Sequence, residues 1–442
     1  MCFVLIVLFH VHLFKKAKTV VLKIDTMKKM IFILTILIPV KFLSAQTLKL
    51  DTILDSIVAS HPSLKMYDAE IKSMDAAAKG ARSWMPPEIN TGLWMVPYNP
   101  NLWKKEDMGE TGMGQYMVGG QQMLPVKKKL NADAAYMEAM SSVEKEKKNA
   151  NLNELISEAK LYYYDWIILK KKSLVLEENE KLLDFMIKNA EIRYKNGLEK
   201  ISAYYKAKAA LGNIMNMQLM FENDMREKRI RLNTLMGRNA TIDFEIDTIY
   251  RLNDYSILVF DSTLFYNSRS DLKAIDKNIN LTWLKQETER QSLKPQFGIR
   301  YDHMFGFGGL PMQYTIMGMV KIPMAKWSSK MNKANIESLK WKAEALQSQK
   351  EMMLNEYSGM AYAMRNEIEL KKKQLKLYSD NIIPALRNNY KTMQLGYEQN
   401  TEELFMLYDA WETLNMTQLE YLELLNQVLK AQVSLERIME KK

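Results

Sequence analysis

The side chains that most often carry out catalysis or bind transition metals are scarce in this sequence. Cys2 is the only cysteine, and after residue 45 the only histidines are His61 and His303. The sequence therefore lacks the residues needed for a thiolate nucleophile, a disulfide, a zinc–thiolate site or a histidine-based triad. No GxxxxGK[ST] loop for nucleotide phosphates is present either. The sequence predicts a protein that is not an enzyme and needs no cofactor.

Methionine is the one abundant residue with distinctive ligand chemistry. The chain contains 33 methionines, and their thioethers are soft ligands that suit monovalent copper or silver. Methionine is also an adaptable core filler, and many of these residues recur at helical spacing. A metal path and plain core filling both stay open, and no firm metal site is predicted.

Net charge excludes nucleic acid as a partner. The formal charge is +10, but residues 1–45 hold seven lysines and one aspartate, so the rest of the chain carries only +4. Over the remaining length Lys and Glu are interspersed, a pattern typical of solvated helix faces.

The N-terminus has the layout of an export signal. Lys28 and Lys29 precede an apolar run from 30 to 40, and Ala45 stands at a cleavage position. We expect a signal peptide at 27–45, cleaved after Ala45. Residues 1–26 are then an over-extended gene start; the alternative is an N-terminal anchor.

Two similar halves follow, at 46–250 and 251–442, each with a helix, two strands and two long helices. Between Pro125 and Gly197 no Pro or Gly occurs, which predicts a coiled-coil-like helical rod about 106 Å long at 1.5 Å per residue. In the second half Pro384 should kink or break the corresponding helix.

The segments at about 87–97, 113–124, 295–305 and 312–323 alternate apolar and polar residues, as strands with one apolar face do. Such strands suit a membrane β-barrel with its polar face toward a lumen. The candidates to face that lumen are Met117, Met317, Met319, Arg300 and Asp302. Four strands are too few to close a barrel, so the chain must oligomerise, and three copies would supply twelve. Soluble hairpins with one core face are the alternative.

At this point the chain resembles the TolC family of outer-membrane efflux proteins. The resemblance rests on the two-part layout, on the strand-ending prolines Pro125 and Pro323, and on the segments 396–400 and 407–410. It implies a mainly helical homotrimer with a twelve-stranded β-barrel on a long α-helical barrel. It also implies a place in outer-membrane lipid, extending into the periplasm, with a periplasmic adaptor and an inner-membrane pump of the RND type as partners. Around 382–385 the sequence resembles the branch that exports heavy-metal ions.

The resemblance also suggests a gate at the periplasmic end of the tube. Tight turns at Gly197 and Asn400 would reverse the long helices there. Asp409 looks like an aspartate of the family's closed aperture, although an ordinary solvated residue is an equal alternative. Met406 stands where a second acidic residue can occur, and Glu402 and Glu403 could substitute for it.

The predicted function is therefore a passive duct for small solutes, with metal export as one form of it. A periplasmic structural coiled coil without a pore is the alternative.

Overall fold

The computed structural model describes residues 47–104 and 111–441. The segments 1–26 and 27–45, and with them the predicted signal peptide, lie outside the described residues. Of the described residues, Thr47 and Asp243–Glu245 form one unit, and the remainder form a second, compact unit. The long helices and the main sheet belong to the second unit.

The structure is mainly helical, with six strands in the described ranges. The helices are α1 Leu50–Ser60, α2 Pro62–Lys79, α3 Lys127–Lys195, α4 Ile201–Leu235, α5 Ser262–Ser268, α6 Ser270–Ser292, α7 Lys326–Leu377, α8 Ile383–Glu398 and α9 Leu404–Met439. The strands are β1 Thr47–Leu48, β2 Glu88–Trp94, β3 Gln115–Leu124, β4 Glu245–Ile246, β5 Gln296–Gly306 and β6 Gln313–Lys321. A short 3-10 turn covers Pro100–Trp103.

Helix α3 is a single rod of 69 residues. It fills the stretch between Pro125 and Gly197, as the lack of helix breakers predicted, and spans about 104 Å at 1.5 Å per residue. Its buried residues include Leu152, Ala159 and Trp166, which recur at heptad spacing and so form one continuous packing face. This face makes α3 the central helix of the unit.

The other helices lie beside α3 in two sets. Near the sheet, the order of neighbours is α2, α3, α6, α7, so that α2 and α7 are the outer helices. Toward the far end, α4 and α9 flank α3, and α8 packs on α9. Among the described residues, no other helix packs on the far side of either outer helix.

Helix α7, the long helix that follows the sheet, changes its hydrogen bonding at its end, just before Pro384. A π-helical turn at Tyr378–Ile382 joins α7 to α8, and Pro384 is the second residue of α8. Proline lacks an N–H and its ring crowds the preceding turn, so a π turn relieves the clash without ending the helix. The predicted disturbance at Pro384 therefore takes the form of a π turn.

At least two hydrophobic cores hold the described helices together. One, toward the helix tips, includes Leu183, Met186, Tyr397, Leu407 and Trp411, and the indole of Trp411 donates to the Asn179 side chain at 2.7 Å. A second gathers aromatic and aliphatic residues of α5, α7 and α9 around Phe265 and Leu435. Met186 is fully buried, so part of the methionine content fills core space.

The main sheet has four antiparallel strands in the order β2-β3-β5-β6. Strand β2 ends at Trp94, short of the predicted end near 97. Met95 adopts a φ of 50°, which a strand cannot contain, and Pro97 follows. Within residues 47–104 and 111–441, the edge strands β2 and β6 each pair with a neighbour on one side only.

Candidate functional site

The sheet has two chemically different faces. The strand register pairs Tyr116 with Phe305, Leu124 with Phe297, and Tyr301 with Ile316, so one face is mainly aromatic and aliphatic. These large apolar side chains are exposed. Gln122 and His303 are polar residues on that face. A strand alternates its side chains between faces, and apart from Trp94 at the end of β2 the intervening residues are polar, small or methionine.

The five residues predicted to face a lumen all lie on this second face. Met117 stands opposite Met304, Arg300 opposite Met317, Gly298 opposite Met319, and Asp302 opposite Gly119. The structure thus brings them onto one surface of one sheet.

A buried charge cluster sits at the centre of that face. Asp302 is only 1% exposed and accepts hydrogen bonds from Arg300 Nε at 2.8 and 3.1 Å. The Asn90 amide, turned to satisfy both partners, donates to the Gly119 carbonyl and accepts from the Arg300 guanidinium, each at 2.9 Å. Pairing of this kind is what allows a buried carboxylate to stay charged. The cluster ties β2, β3 and β5 together.

The long helices reverse at two tight turns. Gly197 has a φ of 70° and Asn400 a φ of 61°. After each, a backbone N–H reaches back to a helix carbonyl: Leu198 to Arg193, and Thr401 to Gly396, both at 2.9 Å. The two turns therefore use the same left-handed helix ending.

Of the gate candidates, Met406 and Asp409 are both exposed and lie three residues apart on one face of α9. Glu403 is exposed at the N-cap of α9 without a side-chain capping bond, and Glu402 is half-buried beside Gly396. The structure does not draw the four side chains into one cluster within a single chain.

Near the tips the structure shows contacts that the sequence did not reveal. The Lys206 ammonium lies 3.9 Å from the Phe405 ring centre and 4.2 Å from that of Tyr408. The Arg193 guanidinium stacks on Tyr397 at 4.4 Å and donates to its carbonyl at 2.9 Å. Burial raises the pKa of the Tyr397 hydroxyl, and the Arg193 charge opposes that rise. These cation–π contacts join residues about 200 positions apart, for which a single sequence carries no signal.

The described residues contain neither a cluster of metal-binding side chains nor a helix that could span a membrane. In that part of the chain, no set of three or more His, Cys, Asp or Glu side chains is placed to hold a metal ion. None of its helices is long and apolar enough to cross a lipid bilayer.

Comparison with known proteins identifies the fold. Residues 53–238 match the family model described as outer membrane efflux protein. Among solved structures, the outer-membrane channel OprN is similar with a TM-score of 0.73 at 12% identity, over 89% of this chain and 90% of that one. CusC, described in terms of transmembrane channel formation, is similar with a TM-score of 0.71 at 12% identity, over 88% and 91%. The outer membrane protein VceC of Vibrio cholerae gives 0.70 at 14% identity, over 88% and 95%. No curated protein matched the chain.

Proposed function

This chain belongs to the outer membrane efflux protein family, and we propose that it is the outer-membrane channel of a tripartite efflux system. It acts as a passive duct: small solutes leave through it, and a partner pump supplies the energy. The observation that carries this proposal is the two-faced sheet with a free strand at each edge.

The free edges call for further copies of the chain. A bilayer offers no hydrogen bonds, so a spanning sheet must close on itself. Because β2, β3, β5 and β6 are successively antiparallel, β2 and β6 run in opposite directions. The β6 edge of one copy can therefore pair with the β2 edge of the next in the same antiparallel pattern. Three copies close a twelve-stranded barrel, with the apolar face toward lipid and the polar face toward the lumen.

The outer helix α7 carries a seam that fits the same arrangement. Trp327, Met331 and Trp341 are 89%, 72% and 62% exposed, and they belong to a longer exposed row without a single charge. The row follows alternating steps of four and three residues: Trp327, Met331, Ala334, Ser338, Trp341, Ala345, Ser348, Met352, Asn355, Gly359, Tyr362 and Asn366. This is the heptad spacing of a coiled-coil interface. A solvated helix in so Lys- and Glu-rich a chain has no reason to keep one face uncharged.

The opposite outer helix, α2, offers a matching surface. Its exposed row consists of Met66, Ala69, Ser73 and Ala76, and it ends at Gly80. Helix α2 leads into the sheet and α7 leads out of it, so the two meet antiparallel between neighbouring copies. Trp327 and Trp341 of one copy are large enough to fill the shallow surface that these small residues leave on the next.

The tips form the periplasmic entry in this proposal. Around a three-fold axis, Asp409 and Met406 of each copy face the aperture, and Glu402 and Glu403 lie at its rim. A ring of like charges favours cations and repels itself unless a cation or partner binds there. The exposed tips are also where a periplasmic adaptor and an inner-membrane pump would engage the duct.

A periplasmic coiled coil without a pore would account for the helices but not for the sheet. Such a protein would leave the aromatic face of four strands in water, where apolar patches of that size favour aggregation.

The seam provides the test. Trp341→Lys places three charges in the proposed interface and should convert the detergent-solubilised trimer to monomer in light scattering. Glu344→Lys, an exposed position on α7 outside the row, is the matched control and should remain trimeric. A wild-type chain that is monomeric, or a trimer that tolerates Trp341→Lys, would contradict the proposed assembly.

A further inference from the structure

The methionines of the main sheet are not distributed evenly. Strands β2, β3, β5 and β6 contain Met117, Met123, Met304, Met317 and Met319, and the strand register places all five on the polar face. The lipid-facing side holds Tyr, Phe, Ile, Leu and Val but no methionine. If methionine served only as an apolar filler, the apolar face would suit it at least as well. The segregation indicates that thioethers are of use on the lumen side.

Two of these side chains converge over Gly298. In the strand register, Met123 of β3 and Met319 of β6 lie on either side of Gly298 of β5. A Cβ at position 298 would stand 2.6 Å from Met123 Sδ and 3.0 Å from Met319 Cε. The ends of the two side chains therefore meet in the space that the missing Cβ leaves open, above the middle strand.

The surroundings of this notch favour a soft cation over a hard one. Its nearest other atom is the Gln122 carbonyl oxygen, 3.1 Å from the same Cβ position. The only charged neighbour along β6 is Lys321, which is exposed and can keep its ammonium in solvent. Arg300 and Asp302, farther along β5, neutralise each other. Asp133 and Lys129, of opposite charge, line the cavity beside Met123, and the two neutral thioethers themselves select Cu(I) or Ag(I) over calcium, magnesium or zinc.

The notch can also be reached from one side. Met123 lines a cavity of about 160 Å³ together with Met85 and Gln296, at the end of the sheet next to α3. An ion that enters the barrel from the helical tube would meet this level of the sheet first.

We propose that Met123 and Met319, held together over Gly298, bind a monovalent soft cation, Cu(I) or Ag(I), as cargo in transit. This deepens the proposed function, on which it rests for the assignment of the polar face to a lumen. The site is a transient contact: two thioethers hold the ion well enough to attract it and weakly enough to release it, as conduction requires.

The experiment is a calorimetric titration of Ag⁺ into the purified full-length trimer in detergent. The double variant Met123→Leu/Met319→Leu keeps side-chain volume and should abolish the tightest Ag⁺ binding. Gly298→Ala removes no sulfur, but its Cβ displaces Met123 Sδ and should weaken binding roughly 10- to 100-fold. Met317→Leu is the control, because this thioether stands opposite Arg300 and not over Gly298, so it is no part of the Met123–Met319 pair.

The Ag⁺ affinities of the variants decide whether Met123 and Met319 form a site. Loss of Ag⁺ binding in the double variant and in Gly298→Ala, with Met317→Leu at wild-type affinity, supports the site. Unchanged Ag⁺ affinity in the double variant overturns it, as does an equal loss in Met317→Leu. Planar-bilayer conductance of the same samples separates the two proposals: a wild-type channel without Ag⁺ binding removes the metal site and leaves the duct standing. Circular dichroism melts of each variant exclude misfolding as the cause of a loss.

Discussion

The carboxylate of Asp302 occupies the space directly above Gly119, where any other residue would place its side chain. A Cβ on Gly119 would lie 1.9 Å from Asp302 Oδ1 and 2.6 Å from the side-chain amide of Asn90. The glycine thus makes room for the buried charge cluster that joins three strands.

Gly119→Ala should therefore destabilise the sheet more than an ordinary Gly→Ala change in a strand. The added methyl must push Asp302 out of its hydrogen bonds with Arg300, which leaves a buried charge unsatisfied at a cost of about 1–3 kcal/mol or more. Thermal melting of the detergent-solubilised protein measures the effect. Gly318→Ala is the control, because a Cβ there meets nothing within 4 Å. Equal melting temperatures for the two variants would refute this role for Gly119.

A second buried pair lies among the helices. Lys160 Nζ of α3 is 2.8 Å from Glu436 Oε2 of α9, and Tyr255 donates to the other carboxylate oxygen at 2.8 Å. Lys160→Met should cost about 3–5 kcal/mol of unfolding free energy, because it leaves the Glu436 charge buried without its counterion.

Denaturant unfolding of three variants tests this ion pair. Lys160→Met/Glu436→Leu removes both charges and should recover most of the loss. Arg231→Met, which breaks the exposed pair with Glu227, should change stability by no more than about 0.5 kcal/mol. If Lys160→Met is as stable as Arg231→Met, the buried pair contributes little to stability.

Acid stability should depend on Asp271. Burial alone would raise the pKa of its carboxyl, but the donors Arg269 and Tyr357 outweigh burial and lower the pKa below its ordinary 3.8. A lowered folded-state pKa gives stability that is present above the unfolded-state pKa and is lost as pH falls through the folded value. The wild-type melting temperature should therefore drop more steeply below about pH 4 than that of Asp271→Asn. Asp184→Asn, at an exposed position of α3, should show the same dependence of melting temperature on pH as the wild type. If the melting temperatures of the wild type and both variants fall with pH at the same rate, Asp271 is not a source of the acid sensitivity.

The gate proposal predicts a change in conductance. If Asp409 narrows a closed aperture, Asp409→Ala should raise the single-channel conductance of the reconstituted trimer. Asp380→Ala, an exposed aspartate on the π turn, should leave it unchanged. Conductance that is the same in both variants and in the wild type would remove Asp409 from the gate.

Some of these features were readable in the sequence because they depend on local rules. The lack of Pro and Gly between 125 and 197 predicted α3, and period-two alternation predicted which side of the sheet Met117 and Arg300 share. The early end of β2 was missed, because nothing in the local pattern shows that Met95 takes a positive φ. The Lys160–Glu436 pair could not be predicted, because its partners are 276 residues apart. Nothing in the local sequence distinguishes Lys160, as a buried residue, from the many exposed lysines.

In the proposed assembly, copies of this chain together enclose a water-filled path through a membrane. Single-channel recording of the purified wild-type protein in a planar lipid bilayer would detect that path. We expect discrete conductance steps from the trimer fraction and none from the Trp341→Lys variant, which should be monomeric. A trimer that inserts into the bilayer without passing ions, or a monomer that conducts, would contradict that assembly.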